Sequence, residues 1–278
     1  MRSVVFNVSG ICNLKCSYCD LKLPKLYVSF KQFVQEMEQY DPKDTYLIFS
    51  GGEPTLNEDL QGMLIWCYVN NYSGQIITNG TLIQHIDVPP NFRVNLSLSC
   101  VNPDRMDKKD KLTLSVLDKI KATVSLSIVF TNNFEDTKET IEFAIAKGYD
   151  VNLNIPVQFD PNLETAYHRL TEINIPELTK LIGYYTEIYQ EHWFIHPDTL
   201  VFLFTHLINK TLWVCDRVQE HVNYVLPNLV TWKCSKTSDL QNCQGCLDVC
   251  TLEEVRRTHG LHNLSKSSES SGDDGRCH

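Results

Sequence analysis

The 278-residue sequence has no run of Lys and Arg and no apolar stretch of the roughly 18 residues that would cross a bilayer. It also lacks the basic start, apolar run and small-residue cleavage site of a signal peptide. Lys plus Arg number 25 against 34 Asp plus Glu, a formal net charge of −9. The electrostatic footprint of a nucleic-acid binder is therefore missing, whereas a small basic substrate or a cationic peptide would suit that sign. A cytoplasmic protein with neither nucleic acid nor membrane as partner is expected. No nucleophile or general-base constellation stands out either: Glu164, His168, Arg169, Glu187 and His192 read as solvated faces.

What the chain does have is cysteine, eleven in all. Eight of them fall into two clusters, Cys12 to Cys19 and Cys215 to Cys250. A chain of this size without an export signal uses such clusters for metal ligation in a reducing compartment rather than for disulfides. Cys67, beside Trp66 in an apolar helix, reads as core, and Cys277 lies in a Ser-rich tail.

Short apolar runs at residues 3–8, 45–50, 75–78, 92–99, 123–130 and 150–158 predict six strands. Helical patterns alternate with them: one capped by Ser29, one after Asn57, a short one near Leu82, and others over about 112–121 and 135–147, the last closed by Gly148. Such alternation implies a parallel sheet with right-handed crossovers. The expected fold class is α/β, a partial (β/α)6 TIM-like barrel with a small C-terminal cysteine-rich module and its active site at the C-terminal strand ends. Residues 1–160 form the expected barrel core, 161–212 a helical segment, 213–261 the cysteine-rich module and 262–278 a disordered tail. Tyr184, Tyr185 and Tyr189 have the spacing of a packed helical stripe.

In Cys12-Asn-Leu-Lys-Cys16-Ser-Tyr18-Cys19, three thiols lie within eight residues of the loop after the first strand. Three ligands suit three irons of a [4Fe–4S] cube and leave one iron open for an outside ligand. A zinc site would want four ligands, usually as two Cys-x2-Cys pairs. The spacing, with an aromatic residue before the third cysteine, resembles the signature of the radical S-adenosylmethionine (SAM) superfamily. Gly51-Gly52-Glu53-Pro54, at the end of the second strand, resembles that family's Gly-Gly-Glu motif, and Thr78-Asn79-Gly80 its Thr-Asn-Gly turn. Asn-Gly is also a common turn dipeptide.

The resemblance implies a [4Fe–4S] cluster held by Cys12, Cys16 and Cys19, and SAM, bound with contributions from Tyr18, Gly51, Gly52, Glu53, Pro54 and Asn79. Ser97 or Ser99, Asn132 or Asn133, and Ile155 to Val157 occupy positions where family members contact SAM; barrel packing is the competing role for each. Where family members often carry Asp-Gly after the fourth strand, Cys100-Val101 stands here. Cys100 is a weak candidate hydrogen-atom donor, set against the commoner fate of an inert buried thiol.

In the second cluster, residues 223–233 read as a β-hairpin turning at Pro227-Asn228, with Cys215 and Cys234 at its base. Cys243-Gln-Gly-Cys246 and Cys250 follow. The pattern resembles the SPASM and twitch modules found after radical SAM barrels, although Pro-Asn replaces the usual Asp-Gly turn. Five thiols support one auxiliary [4Fe–4S] cluster, on Cys215, Cys234, Cys243 and Cys246 with Cys250 as a fifth candidate; a structural zinc knuckle is the alternative. The resemblance implies an electron donor such as flavodoxin or ferredoxin. With the first strand starting at Ser3, no N-terminal leader-recognition domain is expected. Oxidation of a small molecule is therefore expected first, modification of a ribosomally made peptide second, and a non-catalytic iron–sulfur sensor or scaffold third.

Overall fold

Parallel strands bury their apolar side chains under crossover helices, so the register shows which residues share a face. The computed structural model describes residues 2–16, 19, 23–155, 174–191, 193, 195–198, 200–201, 222–225, 227–229 and 231–232. In chain order the elements are β1 (Arg2–Ser9), α1 (Phe30–Met37), β2 (Thr45–Gly51), α2 (Leu60–Val69), β3 (Ser73–Thr78) and β4 (Phe92–Leu98). There follow α3 (Lys108–Leu117), β5 (Val124–Val129), α4 (Phe134–Lys147), β6 (Asp150–Asn154), α5 (Ile175–Ile188), β7 (Val222–Val225) and β8 (Thr231–Trp232). The sheet order is β6-β5-β4-β3-β2-β1-β7-β8. Strands β1 to β6 pair in parallel in sequence order, as six successive βα units require, giving an open sheet consistent with a partial barrel.

One face of this sheet is apolar. Val4, Phe6, Leu47, Phe49 and Ile76 pack with Phe33 and Met37 of α1 and with Leu60, Met63 and Leu64 of α2. Leu96, Leu126, Ile128, Val151 and Leu153 pack with Ile141 of α4 and with Leu181 and Tyr185 of α5. Cys67 lies inside the core group around Phe33 and Leu64, and burial pushes its thiol well above the ordinary range, as expected of a core cysteine. The other face is more polar: Asn7 pairs with Ser50, Asn95 with Ser125, and Ser127 with Asn152, while Val5, Ile48 and Ile77 also lie on it.

The predicted helix start at Ser29 is a capping box. The Ser29 hydroxyl accepts from Gln32 N, and Gln32 Oε1 accepts from Ser29 N at 3.0 Å. Replacing Ser29 by Ala removes the hydroxyl that accepts from Gln32 N, leaves the backbone N–H to Gln32 Oε1, and is expected to cost about 1 kcal/mol, read as a lower urea midpoint at unchanged slope. The third helix differs from expectation. It spans Lys108–Leu117 rather than 112–121, because the Asp107 side chain accepts from Asp110 N at 2.8 Å and sets the start there.

Two further differences concern strands. The sixth ends at Asn154, and residues 156–160 lie outside the described set. The hairpin expected over 223–233 is present as the antiparallel β7–β8 pair around Pro227-Asn228, and β7 also pairs in parallel with β1, which adds it to the edge of the main sheet. The Tyr stripe packs: Tyr185 is fully buried, its hydroxyl donates to Ile195 O at 2.9 Å, and its ring meets those of Tyr189 and Trp193. Among the described residues no helix is long and apolar enough to cross a membrane.

Candidate active site

The loop after β1 is closed at its neck. Gly10 N donates to Leu26 O at 2.8 Å and Val28 N to Val8 O at 3.0 Å. The buried Asn57 carboxamide staples both legs, its Nδ2 donating to Val8 O and to Val28 O, each at 2.8 Å. Inside the neck the Ser9 hydroxyl donates to Ile11 O at 2.9 Å and accepts from Ile11 N at 3.1 Å. Cys12, Cys16 and Cys19 therefore project from a loop anchored by other residues.

The Gly51-Gly52-Glu53 turn lies directly against this loop. Gly52 N donates to Ser9 O at 2.7 Å and Glu53 N to Ile11 O at 2.9 Å. The approach is close enough that a Cβ on Gly52 would sit 2.4 Å from Ile11 O. Gly51, at φ +128°, holds a backbone conformation that side chains rarely adopt. The Glu53 carboxylate is buried and turned inward. Its Oε1 accepts from Thr55 N at 3.1 Å and from the hydroxyls of Thr55 and Thr78 at 2.6 Å each, while Oε2 accepts from Asn79 N at 2.8 Å. This carboxylate is thus a tie between the ends of β2 and β3.

Asn79 carries the tie back to the cysteines. Its Nδ2 donates to Asn13 Oδ1 at 2.9 Å and points to Cys12 Sγ at 3.9 Å. Its Oδ1 accepts from Thr81 N and from the Thr81 hydroxyl, and Asn13 Nδ2 donates to that same hydroxyl at 2.9 Å. Gly80 follows at φ +80°, where a Cβ would meet Leu96 Cδ2 at 2.8 Å. The Thr-Asn-Gly segment is therefore built into the cysteine loop and is more than a generic turn.

All three thiols are free, Cys12 and Cys19 exposed and Cys16 half-buried. The Cys12 thiol is raised above its ordinary pKa, first by the protein packed behind it and further by the charges of Glu53, Cys16 and Cys19. The Leu14 N–H, which donates to Cys12 Sγ at 3.4 Å, opposes the rise. Among the described residues no three His, Cys, Asp or Glu side chains converge as they would on a single metal ion. Thiolates on separate corners of a polynuclear cluster do not need that convergence.

A family model for the radical SAM superfamily matches residues 6–169, well over half of the chain. The chain belongs to the radical SAM superfamily. It is 25% identical over 190 residues to an S-adenosylmethionine-dependent nucleotide dehydratase of Selenomonas ruminantium, a match covering 65% of this chain and 60% of that protein. It is 28% identical to 7-carboxy-7-deazaguanine synthase of Aquifex aeolicus, over 36% of this chain and 45% of that one. The matched span is thus less than two thirds of either relative's length. Among solved structures it shares the fold of Streptococcus suis SuiB bound to S-adenosylmethionine, with a TM-score of 0.55 at 18% identity, over 84% of this chain and 60% of that one.

Membership in the radical SAM superfamily implies a [4Fe–4S] cluster and SAM, and the donor set fits them. Three free thiols lie within electrostatic reach of one another, and two N–H groups are aimed at Cys12 Sγ, as they would be at a metal-bound thiolate. Tyr18 lies outside the described residues, as do Cys215, Cys234, Cys243, Cys246 and Cys250. Pro54 is buried and opens a short 3-10 turn. Ser97 is half-buried on the polar face beside Ser127, whereas Ser99 lies past the strand end and its hydroxyl accepts from Lys109 Nζ at 3.3 Å. Asn132 is exposed, and its Oδ1 accepts from Asn174 N at 3.1 Å, joining it to the start of α5; Ile155 packs at the edge of the apolar core. Cys100 is buried, and its thiol is raised first by that burial and further by Asp136 and Asp110.

Several residues of this site escape sequence reasoning. Asn13 is one of the spacer positions of the cysteine motif, and Asn57 and Thr113, whose hydroxyl donates to Asn79 O at 2.7 Å, belong to no motif. Glu53→Gln tests the carboxylate tie. Keeping its oxygen toward the three donors at Oε1 forces the amide NH2 against Asn79 N–H, so a loss of about 1–3 kcal/mol in urea unfolding is expected.

Proposed function

We propose that the chain is a SAM-cleaving radical enzyme in which Cys12, Cys16 and Cys19 hold three irons of the [4Fe–4S] cluster and the Gly51 to Pro54 turn receives the methionyl end of SAM. When bound, the cluster and SAM would supply reductive cleavage of the sulfonium C–S bond and, from it, hydrogen-atom abstraction from the substrate. The observation that carries this reading is the joining of the cysteine loop to both turns, through Glu53 N to Ile11 O and Asn79 Nδ2 to Asn13 Oδ1. That bonding fixes the loop against the strand ends where SAM would lie. The exposure of Cys12 and Cys19 suits reduction by a flavodoxin or ferredoxin.

The finer reading is oxidation or dehydrogenation of a small molecule, with an auxiliary [4Fe–4S] cluster on Cys215, Cys234, Cys243 and Cys246 and with Cys250 as a fifth thiol. Support comes from the β7–β8 hairpin, which these cysteines flank in sequence and which adds to the sheet beside β1. The clustered cysteines suit the reducing cytoplasm. Modification of a peptide is the second reading, favoured by the shared fold with SuiB, which has been captured with its precursor peptide SuiA.

Anaerobically reconstituted protein given dithionite and SAM is expected to form 5′-deoxyadenosine. None, at full cluster loading, would leave only the sensor or scaffold. Iron near eight per chain supports two clusters, whereas about four iron with one zinc makes the C-terminal site a zinc knuckle.

A further inference from the structure

Closed (β/α) barrels usually fill their interior with bulky branched side chains. The face of this sheet turned away from the helices carries amides and hydroxyls as well, set among Val5, Ile48 and Ile77. Gln75, Asn95, Ser125 and Asn152 share that face by register, through Gln75 beside Arg93, Asn95 beside Ser125 and Ser127 beside Asn152. Each is more than nine-tenths buried, and Gln75 Oε1, Asn95 Oδ1, Ser125 Oγ and Asn152 Oδ1 have no hydrogen-bond partner. Leaving such atoms unpaired costs stability, and four on one face call for a common explanation.

The charge on this face is balanced. Arg93 Nη1 lies 3.4 Å from Asp150 Oδ2, toward the N-terminal ends of the strands. Gln75 lies level with Arg93, and Asn95 and Ser125 level with Asp150; beyond that pair, toward the candidate active site, Asn152 and its neighbours Ser97 and Ser127 are neutral. Carboxamides and hydroxyls both donate and accept, a pattern that matches a ring bearing several hydroxyls better than a carboxylate, an ammonium or an apolar ring.

We infer that the inner face of the sheet binds a neutral hydroxylated ring of the substrate, through Gln75, Asn95, Ser125 and Asn152. This rests on the reading of the strand ends above it as the SAM site. The four residues determine specificity and take no part in the cleavage of SAM. They hold unpaired polar atoms in the free protein and pair them when the ring enters.

The test uses the reconstituted full chain and ligand-observed saturation-transfer NMR with uridine, methyl glucoside, glutamate, spermidine and indole as probes. Uridine or methyl glucoside is expected to bind, and the other three are not. The double variant Asn95→Leu/Asn152→Leu is expected to weaken that binding at least tenfold. It should also raise the melting temperature by a few degrees, on the order of 3 °C, because unpaired amides give way to apolar groups of similar size. SAM cleavage without substrate, measured on the parent protein, reports separately on the proposed function. The inference is overturned if neither hydroxylated probe binds, if a charged or apolar probe binds as well as they do, or if the double variant binds them as the parent does.

Discussion

Alanine at Cys12, at Cys16 or at Cys19 is expected to reduce 5′-deoxyadenosine formation to background and to lower bound iron by about four per chain. Each substitution removes one of only three protein ligands to the proposed cluster. The sheet should survive all three. The thiols are exposed or half-buried, and the loop is held by Ser9, Asn57 and Asn79 rather than by the cysteines themselves. Far-ultraviolet circular dichroism of each variant should therefore match the parent while iron and product are lost. Loss of product with iron unchanged would place the cluster on other residues.

The second large effect is expected at Asp110. Its carboxylate lies 2.8 Å from Lys109 Nζ, both side chains are at most 5% exposed, and its two oxygens also accept from Ser99 N at 3.2 Å and Cys100 N at 3.1 Å. It thus pins the chain where β4 ends, at the rim of the candidate site. Asp110→Asn removes the counter-charge from the buried ammonium, so a loss of about 3–5 kcal/mol in urea unfolding is expected. Exchanging both partners, as Lys109→Met/Asp110→Leu, should recover only part of that, because the Ser99 and Cys100 N–H groups then lack an acceptor.

Much of the fold was legible because six apolar runs with turn residues between them leave few alternatives to a parallel sheet. The Ser29 capping box and the Gly148 stop were readable because caps are local. The pairing of β7 with β1 was not, since parallel partners more than two hundred residues apart leave no local pattern. Lys109 and Asp110, adjacent charges on a helix, carry the pattern of a solvated face; their burial comes from packing against the end of β4. At the site, the motif spacing located Glu53 and Asn79, but spacing carries no information on where a carboxylate points. The inward turn of Glu53 depends on Thr78, at the end of another strand.

The central claim is that the Cys12, Cys16 and Cys19 loop presents an iron that SAM can reach. Low-temperature electron paramagnetic resonance of the dithionite-reduced, reconstituted protein, recorded with and without SAM and repeated for Cys16→Ala, tests it most directly. The predicted result is a reduced-cluster signal whose g-values shift on adding SAM, with the SAM-sensitive component missing in Cys16→Ala. A signal indifferent to SAM, or a SAM-sensitive signal that persists in Cys16→Ala, contradicts it.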